Sequence, residues 1–206
     1  MADRAAAAIP ASALVVRPAD EVDPDDLQTL LGSTAPRNCQ CQRYKMLPGE
    51  CFVSVAASVR AERFREQTWP GGTDRGATTG LVAHLDDQPV GWCAIEPRCD
   101  YVGMVRGGRV AWKGRSEDRD DPGVWAVTCF FTKPGFRKRG ISSALVAAAV
   151  DHARHHGARA VEGYPLSRPG GVADELHVGF QGAFAAAGFR EVSRPSVRRV
   201  VMRIEL

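Results

Sequence analysis

Apolar positions along the 206-residue chain recur with two periods, and the switches between them predict the elements. From residue 79 onward the pattern is regular. Leu81-Val82-Ala83-His84-Leu85 and Pro89 to Glu96 read as two strands joined by the turn Asp86-Asp87-Gln88. Trp125 to Thr132 is a third strand, rich in β-branched and aromatic residues. Gly140 to His156 then carries Leu145, Val146, Ala149, Val150 and Ala153 on one helical face, with Gly157 as its stop. Ala158 to Tyr164 is a strand halted by Pro165. Asp174 to Ala187 is a second late helix closed by Gly188, and Phe189 to Val192 and Val197 to Ile204 are the last strands.

Upstream the pattern is looser. Residues 1–13 read as a flexible leader. Leu14 to Pro18 is a first strand ended by proline. Asp23-Pro24-Asp25-Asp26 opens a helix with Leu27, Leu30 and Leu31 on its apolar side, and Gly32-Ser33 ends it. The segment from Pro36 to Gly49 reads as a loop over a pocket. Phe52 to Thr68 reads as a helix with Val55, Val59 and Phe64 inward. Trp69 to Thr79 is a Gly/Thr-rich loop, and Arg106 to Gly123, without periodicity, is expected to be a mobile one. The hairpin requires antiparallel pairing and the strand–helix–strand unit from Trp125 to Tyr164 requires parallel pairing, so a mixed α/β sheet follows.

Composition narrows the class. A hydrophobic fraction of 44% supports a buried core without staples, and no run is long and apolar enough for a bilayer span. A net charge of +3, without a basic stripe interleaved with aromatics, excludes a nucleic-acid binder but suits an anionic ligand. Among the six cysteines, Cys39-Gln-Cys41 lacks the paired spacing of a zinc site, so no metal is expected and the thiols read as small hydrophobes. With no secretory signal, reduced thiols point to the cytoplasm.

The chemistry concentrates between Val127 and Leu145. A strand runs into the turn Pro134-Gly135, and a basic loop then opens directly onto a helix. Amides at a helix N-terminus, backed by the macrodipole, form an anion site. Gly140 allows close backbone approach, Ser142 and Ser143 leave the helix start uncluttered, and Arg137, Lys138 and Arg139 add charge. The amides of roughly residues 138–143 are therefore expected to bind a pyrophosphate.

Arg137-Lys138-Arg139-Gly140-Ile141-Ser142 resembles the acetyl-CoA motif of the GNAT N-acetyltransferase superfamily, with Ser142 where that motif has Gly or Ala. The preceding strand, the following helix and the Ala187-Gly188-Phe189 ending are similar as well. The resemblance implies a mostly antiparallel sheet with a central splayed parallel pair, flanked by helices. It implies one domain over residues 14–206, in which 14–78 shape the acceptor side and 79–206 form the acyl-CoA-binding core. It also implies that the pantetheine arm pairs with the backbone of Cys129, Phe130 and Phe131, beside the strand 158–164. The reaction implied is direct attack of an amine on the acetyl-CoA thioester, with a backbone N–H near Cys129 or Phe130 as oxyanion donor.

Two departures bear on catalysis. The tyrosine that many of these enzymes place four residues before the Gly-Phe pair is Phe184 here, and a carboxylate some carry on the central strand is Ala126. Replacements are sought among Glu162 and Tyr164, which share a strand face, as base and acid, and Glu96 at the end of the neighbouring strand. The alternative readings are a surface Glu162, a half-buried packing Tyr164, and a Glu96–Arg98 strand-end ion pair. His177 is a base candidate through water, or a solvated helix residue. Cys129 as an acyl carrier is set against the family's direct route.

The acceptor is less legible. Tyr44, Trp69, Trp92, Tyr101 and Trp112 are candidates to line its site, or core residues. The expectation is a small-molecule amine; a protein amine, or a weakly catalytic acyl-CoA-binding module, are the alternatives. The final strands offer an edge for homodimer pairing.

Overall fold

The computed structural model describes residues 7–32, 39–69, 78–168 and 173–206. Its centre is a seven-stranded sheet, β1 (Leu14–Pro18), β2 (Gly80–Leu85), β3 (Gln88–Pro97), β4 (Val124–Thr132), β5 (Ala160–Gly163), β6 (Arg190–Ser193) and β7 (Val201–Glu205), in the order β1-β2-β3-β4-β5-β7-β6. All neighbours are antiparallel except β4 and β5, which run parallel from Val124↔Ala160 to Val127↔Gly163. This is the mixed sheet that the strand pattern predicts, and the mostly antiparallel order with a central parallel pair that the GNAT resemblance implies. Asp86 and Asp87 both take left-handed φ, +49° and +59°, which closes the β2–β3 hairpin with the twist its strands need.

Among the described residues, six α-helices flank the sheet: α1 (Pro24–Gly32), α2 (Ala57–Thr68), α3 (Val102–Gly107), α4 (Arg109–Trp112), α5 (Ile141–His155) and α6 (Gln181–Ala186). On one face, α5 buries Ile141, Leu145, Val146, Ala149, Val150 and Ala153 among Leu81, Ala83, Cys93, Ile95 and Val127 of the sheet. The opposite face has two apolar clusters. One joins α1 and Phe64 of α2 to Val82, Trp92 and Ala94. The other joins Tyr101, Met104, Ala111 and Trp112 to Ala126, Tyr164 and Val201. The period-2 alternation of each strand is what divides these sets.

Several elements differ from expectation. The helix read from Phe52 begins only at Ala57, and its buried face is Arg60, Phe64 and Thr68, whereas Val59 is 38% exposed. Arg60 is tolerated inside because its guanidinium donates to the Phe52 and Val55 carbonyls and stacks 4.6 Å from the Phe52 ring. The stretch from Arg106 to Gly123 is an anchored insertion carrying the end of α3 and all of α4, with Trp112 Nε1 donating to the Met104 carbonyl at 2.8 Å. The second late helix is split into a 3₁₀ segment, Ala173–Val178, and α6, with Gly179 at φ +73° between them. In residues 7–13, Ile9 is buried in the α5-side core, so this part of the leader is docked. Residues 1–6, Ser33, residues 36–38 of the expected pocket loop and residues 70–77 of the Gly/Thr-rich loop lie outside the described residues. Among the described residues, no helix is long and apolar enough to cross a membrane.

Candidate active site

The loop between β4 and α5 has the geometry of an anion site. Lys138 and Gly140 take left-handed φ, +58° and +92°, and Gly140 is the N-cap of α5. Among the described residues, no side chain caps that end, so the Ile141, Ser142 and Ser143 amides keep the open valences of a first helical turn. Gly140 is exposed, as are Arg137 and Lys138 around it. The loop is braced from outside: Ile9 N donates to the Arg139 carbonyl and Arg139 Nε to the Ala7 carbonyl, each at 3.0 Å. Arg137 Nε reaches back to the Thr132 carbonyl at 3.4 Å.

Beside this loop the central pair opens. The parallel pairing stops at Val127↔Gly163, while β4 continues to Thr132 along β3. Among the described residues, Cys129, Phe130 and Phe131 thus have a strand partner on the β3 side alone, and the 3₁₀ segment Ala173–Val178 and Gly179, in place of a strand, pack near this end of β4. Within β4 the register steps from Ile95↔Val127 to Ala94↔Cys129, which leaves Thr128 as a bulged residue just past the end of the β5 pairing. Beyond β5 the chain turns to pair Leu166 with Phe180 and Arg199 instead. Phe184 is fully buried against Phe130 and Phe189, with ring centroids 5.8 and 5.2 Å away. A Cβ on Gly163 would collide with the Phe184 ring, so glycine is required there.

Glu96, Ala126 and Glu162 stand in one row across β3, β4 and β5 and face the helices opposite α5. Glu162 is 0% exposed and sits among three arginines: Arg115, Arg203 at 2.9 Å and Arg98 at 3.2 Å. Tyr164 Oη also donates to it, at 2.9 Å. Burial alone would raise the Glu162 pKa, but the hydrogen bonds and charge of Arg115, with Arg98 and Tyr164, hold it below the usual carboxylate value. Tyr164 is itself pushed well above the ordinary phenol range by burial and by Glu162. Trp112 backs this cluster, with the Arg98, Arg119 and Arg115 guanidiniums 4.8, 5.0 and 5.6 Å from its ring. The surface position considered for Glu162 and the half-buried one for Tyr164 are therefore both corrected to the interior.

Glu96 has a different environment. Its partner is Lys45, whose Nζ lies 2.7 and 2.6 Å from the two carboxylate oxygens and also donates to Gln67 Oε1 at 3.1 Å. The expected Glu96–Arg98 pair does not form, because Arg98 leaves β3 in a 3₁₀-turn and meets Glu162. Burial raises the Glu96 pKa, and Lys45 opposes that rise only in part. Tyr101, fully buried, is pushed well above the phenol range by burial and by the Glu96 charge, and Thr128 is its other polar neighbour. The Tyr101 and Thr128 hydroxyls both lack a partner at ordinary hydrogen-bond geometry. Glu96, Lys45, Tyr101 and Thr128 thus form a buried polar group at the bulge. Sequence reasoning named Glu96 and Tyr101 but missed Lys45 and Thr128, for which no local pattern gives a signal. It also missed the arginines around Glu162.

The model of the acetyltransferase (GNAT) family matches residues 45–164, from Lys45 through β5 to Tyr164. The chain belongs to the GNAT acetyltransferase family. Its fold is similar to that of a GCN5-related N-acetyltransferase from Kribbella flavida, at 18% identity and a TM-score of 0.54 over 95% of this chain and 99% of that one. It is similar also to yncA of Salmonella typhimurium, determined with its cofactor acetyl-CoA, at 14% identity and a TM-score of 0.54 over 94% of each chain. The GNAT domain of S. lividans PAT gives 16% identity and a TM-score of 0.53 over 93% of this chain and 89% of that one. At such identities the likeness is one of fold. No curated protein matches the sequence. As a GNAT member the chain is an acyltransferase, and the β4–α5 loop and the end of β4 without a β5 partner fall in the stretch of chain that the family model covers.

Proposed function

We propose that this GNAT member transfers an acetyl group from acetyl-CoA to the primary amine of a small molecule. The observation that carries the reading is the juxtaposition of an uncapped helix N-terminus at Gly140 with the unpaired edge of β4 at Cys129 to Phe131. Diphosphate oxygens suit the amides of residues 138–143 with Arg137, Lys138 and Arg139 around them. The amide-bearing pantetheine arm suits the open backbone edge of Cys129, Phe130 and Phe131. The residues present therefore fit the cosubstrate. When bound, acetyl-CoA supplies the thioester carbonyl that the amine attacks.

The proton acceptor is assigned to Glu96 rather than Glu162. A base needs a lone pair and a pKa near the working pH. Burial moves Glu96 in that direction, whereas Glu162 is committed to three arginines and Tyr164 and is moved the other way. Lys45 holds the Glu96 carboxylate in place. Glu162 and Tyr164 become positioning residues that pin the insertion bearing Trp112 and Arg115 to β5. The Tyr164 proton is engaged with Glu162, which removes it as the thiolate's acid. Phe184 has none to give.

A small acceptor is supported by the cover over this face. Tyr44 packs across the Tyr101, Met104, Ala126 and Tyr164 cluster, and Lys45 and Glu96 are each 8% exposed. The test is thiol release from acetyl-CoA over a panel of small amines and lysine peptides, alongside calorimetric titration with acetyl-CoA. Turnover of a small amine in preference to the peptides is expected. Tight binding without thiol release for any amine, or a preference for peptides, would overturn the reading.

A further inference from the structure

We propose that the acceptor carries an acid group besides its amine, and that Arg43, Tyr44, His177 and Arg199 bind that acid group beside the open end of β4. The inference rests on the transferase reading above and narrows its substrate to small amino acids and related zwitterions.

The four residues come from three distant stretches of chain and meet around one phenol. Tyr44 Oη lies 3.4 Å from His177 Nε2, with ring centroids 6.1 Å apart, and the Arg199 charge acts on the phenol. Arg43, the preceding residue, places its guanidinium 4.9 Å from the Phe52 ring. Arg199 Nη2 donates to the Tyr164 carbonyl at 2.7 Å, and its Nε is buried without an acceptor. The group stands by the end of β5: Arg199 is bonded to the carbonyl of Tyr164, the residue that directly follows β5, and Tyr44 packs in the same cluster as Tyr164.

The electrostatics favour an anion. Burial first, then Arg43 and Arg199, push His177 down to about 4, so the imidazole is neutral at physiological pH and both guanidiniums act on it. Glu175, the carboxylate that also acts on His177, is ion-paired with Arg198. The contrast with the neighbouring cluster is informative. Arg98, Arg115 and Arg203 converge on Glu162, a carboxylate the chain provides, whereas Arg199 Nη2 is held by the Tyr164 carbonyl. Planar guanidiniums with a phenol and an imidazole form a donor set that matches carboxylate or phosphonate oxygens.

The register of the chain also links this set to the chemistry. Tyr44 belongs to it, and the next residue, Lys45, holds Glu96. A molecule with its acid on the Tyr44 side therefore presents its amine toward the Glu96 side, a geometry a short zwitterion satisfies and a polycation does not.

Matched pairs test this: α- and ω-amino acids against their carboxamides, and aminoalkylphosphonates against the corresponding alkylamines, each assayed by thiol release. The acid member of at least one pair should have a kcat/KM about tenfold or more above its neutral counterpart, with most of the difference in KM, as charge-assisted hydrogen bonds of this kind provide. The carboxylate and phosphonate arms separate the two sources of anion. Arg43→Gln and Arg199→Met should each bring the ratio toward one. A dicarboxylate lacking an amine should inhibit competitively against the amine and not against acetyl-CoA. Equal rates for acid and neutral members would overturn the inference while leaving the transferase intact. Thiol release with no member of any pair, despite acetyl-CoA binding, would overturn both. If Arg199→Met does not fold, the matched pairs and Arg43→Gln still decide.

Discussion

Glu96 and Glu162 flank Ala126 in a single row across the sheet, on one face, yet one carboxylate is matched to a lysine and the other to three arginines. Position in the sheet makes them near-equivalent, and their partners make them different. Burial unopposed by full compensation raises the pKa of Glu96, while Arg115 and Arg98 outweigh burial at Glu162. The methyl side chain of Ala126 lies between them, in the same cluster as the Tyr101 and Tyr164 rings.

Glu162→Gln should destabilise the protein by about 3–5 kcal/mol, because three guanidiniums lose their buried counter-charge. Chemical denaturation at neutral pH measures this. The sign with pH follows from the lowered native pKa. The stabilisation is complete above the ordinary carboxylate value and is lost as pH falls through the native one. The variant should therefore lose less stability than the parent over that acidic range.

Glu96→Gln should lower kcat by about a hundredfold, the usual contribution of a positioned base, with little change in acetyl-CoA affinity. In the parent, kcat/KM should rise with pH along a limb set above the ordinary carboxylate range, since burial raises the Glu96 pKa. That limb should be missing in the variant. A pH–rate profile with the limb retained would assign the proton acceptor elsewhere.

Gly140→Trp should abolish acetyl-CoA binding. The residue sits at φ +92° at the start of α5, where a side chain is strained and would cover the first-turn amides. Calorimetry should show no heat of binding while circular dichroism stays near that of the parent. Unchanged affinity would remove the phosphate-loop assignment.

Phe184→Tyr restores in sequence the phenol many GNAT enzymes carry, yet should not raise the rate. The ring is fully buried among Phe130, Phe189 and Gly163, so the added hydroxyl enters an apolar core. A loss of about 1–3 kcal/mol is expected, the cost of an unsatisfied buried polar group. Thermal unfolding and single-turnover rates check the two halves.

Much of the architecture is legible in the chain because it rests on local periodicity. The apolar, β-branched and aromatic runs at Leu81 to Leu85 and Trp125 to Thr132 mark strands, and the apolar stripe from Leu145 to Ala153 marks a helix and its inward side, without knowledge of neighbours; strand alternation adds which residues share a face. The same rule places Glu162 and Tyr164 on one face, where Tyr164 does hydrogen-bond Glu162. The α2 segment misleads, since its inward face is led by Arg60, a residue that is stable inside only because the Phe52 and Val55 carbonyls and the Phe52 ring receive it.

By itself, then, the sequence determined the mixed sheet, the helix that opens at Gly140 and the basic loop before it, since each depends on residues within a few positions of one another. Only the tertiary structure decided what each buried charge is paired with. Lys45 reaches Glu96, and Arg98, Arg115 and Arg203 reach Glu162, across gaps of tens of residues. A carboxylate's pKa and role are set by which opposite charge lies within a few ångströms in low dielectric, and that distance is a property of the folded chain.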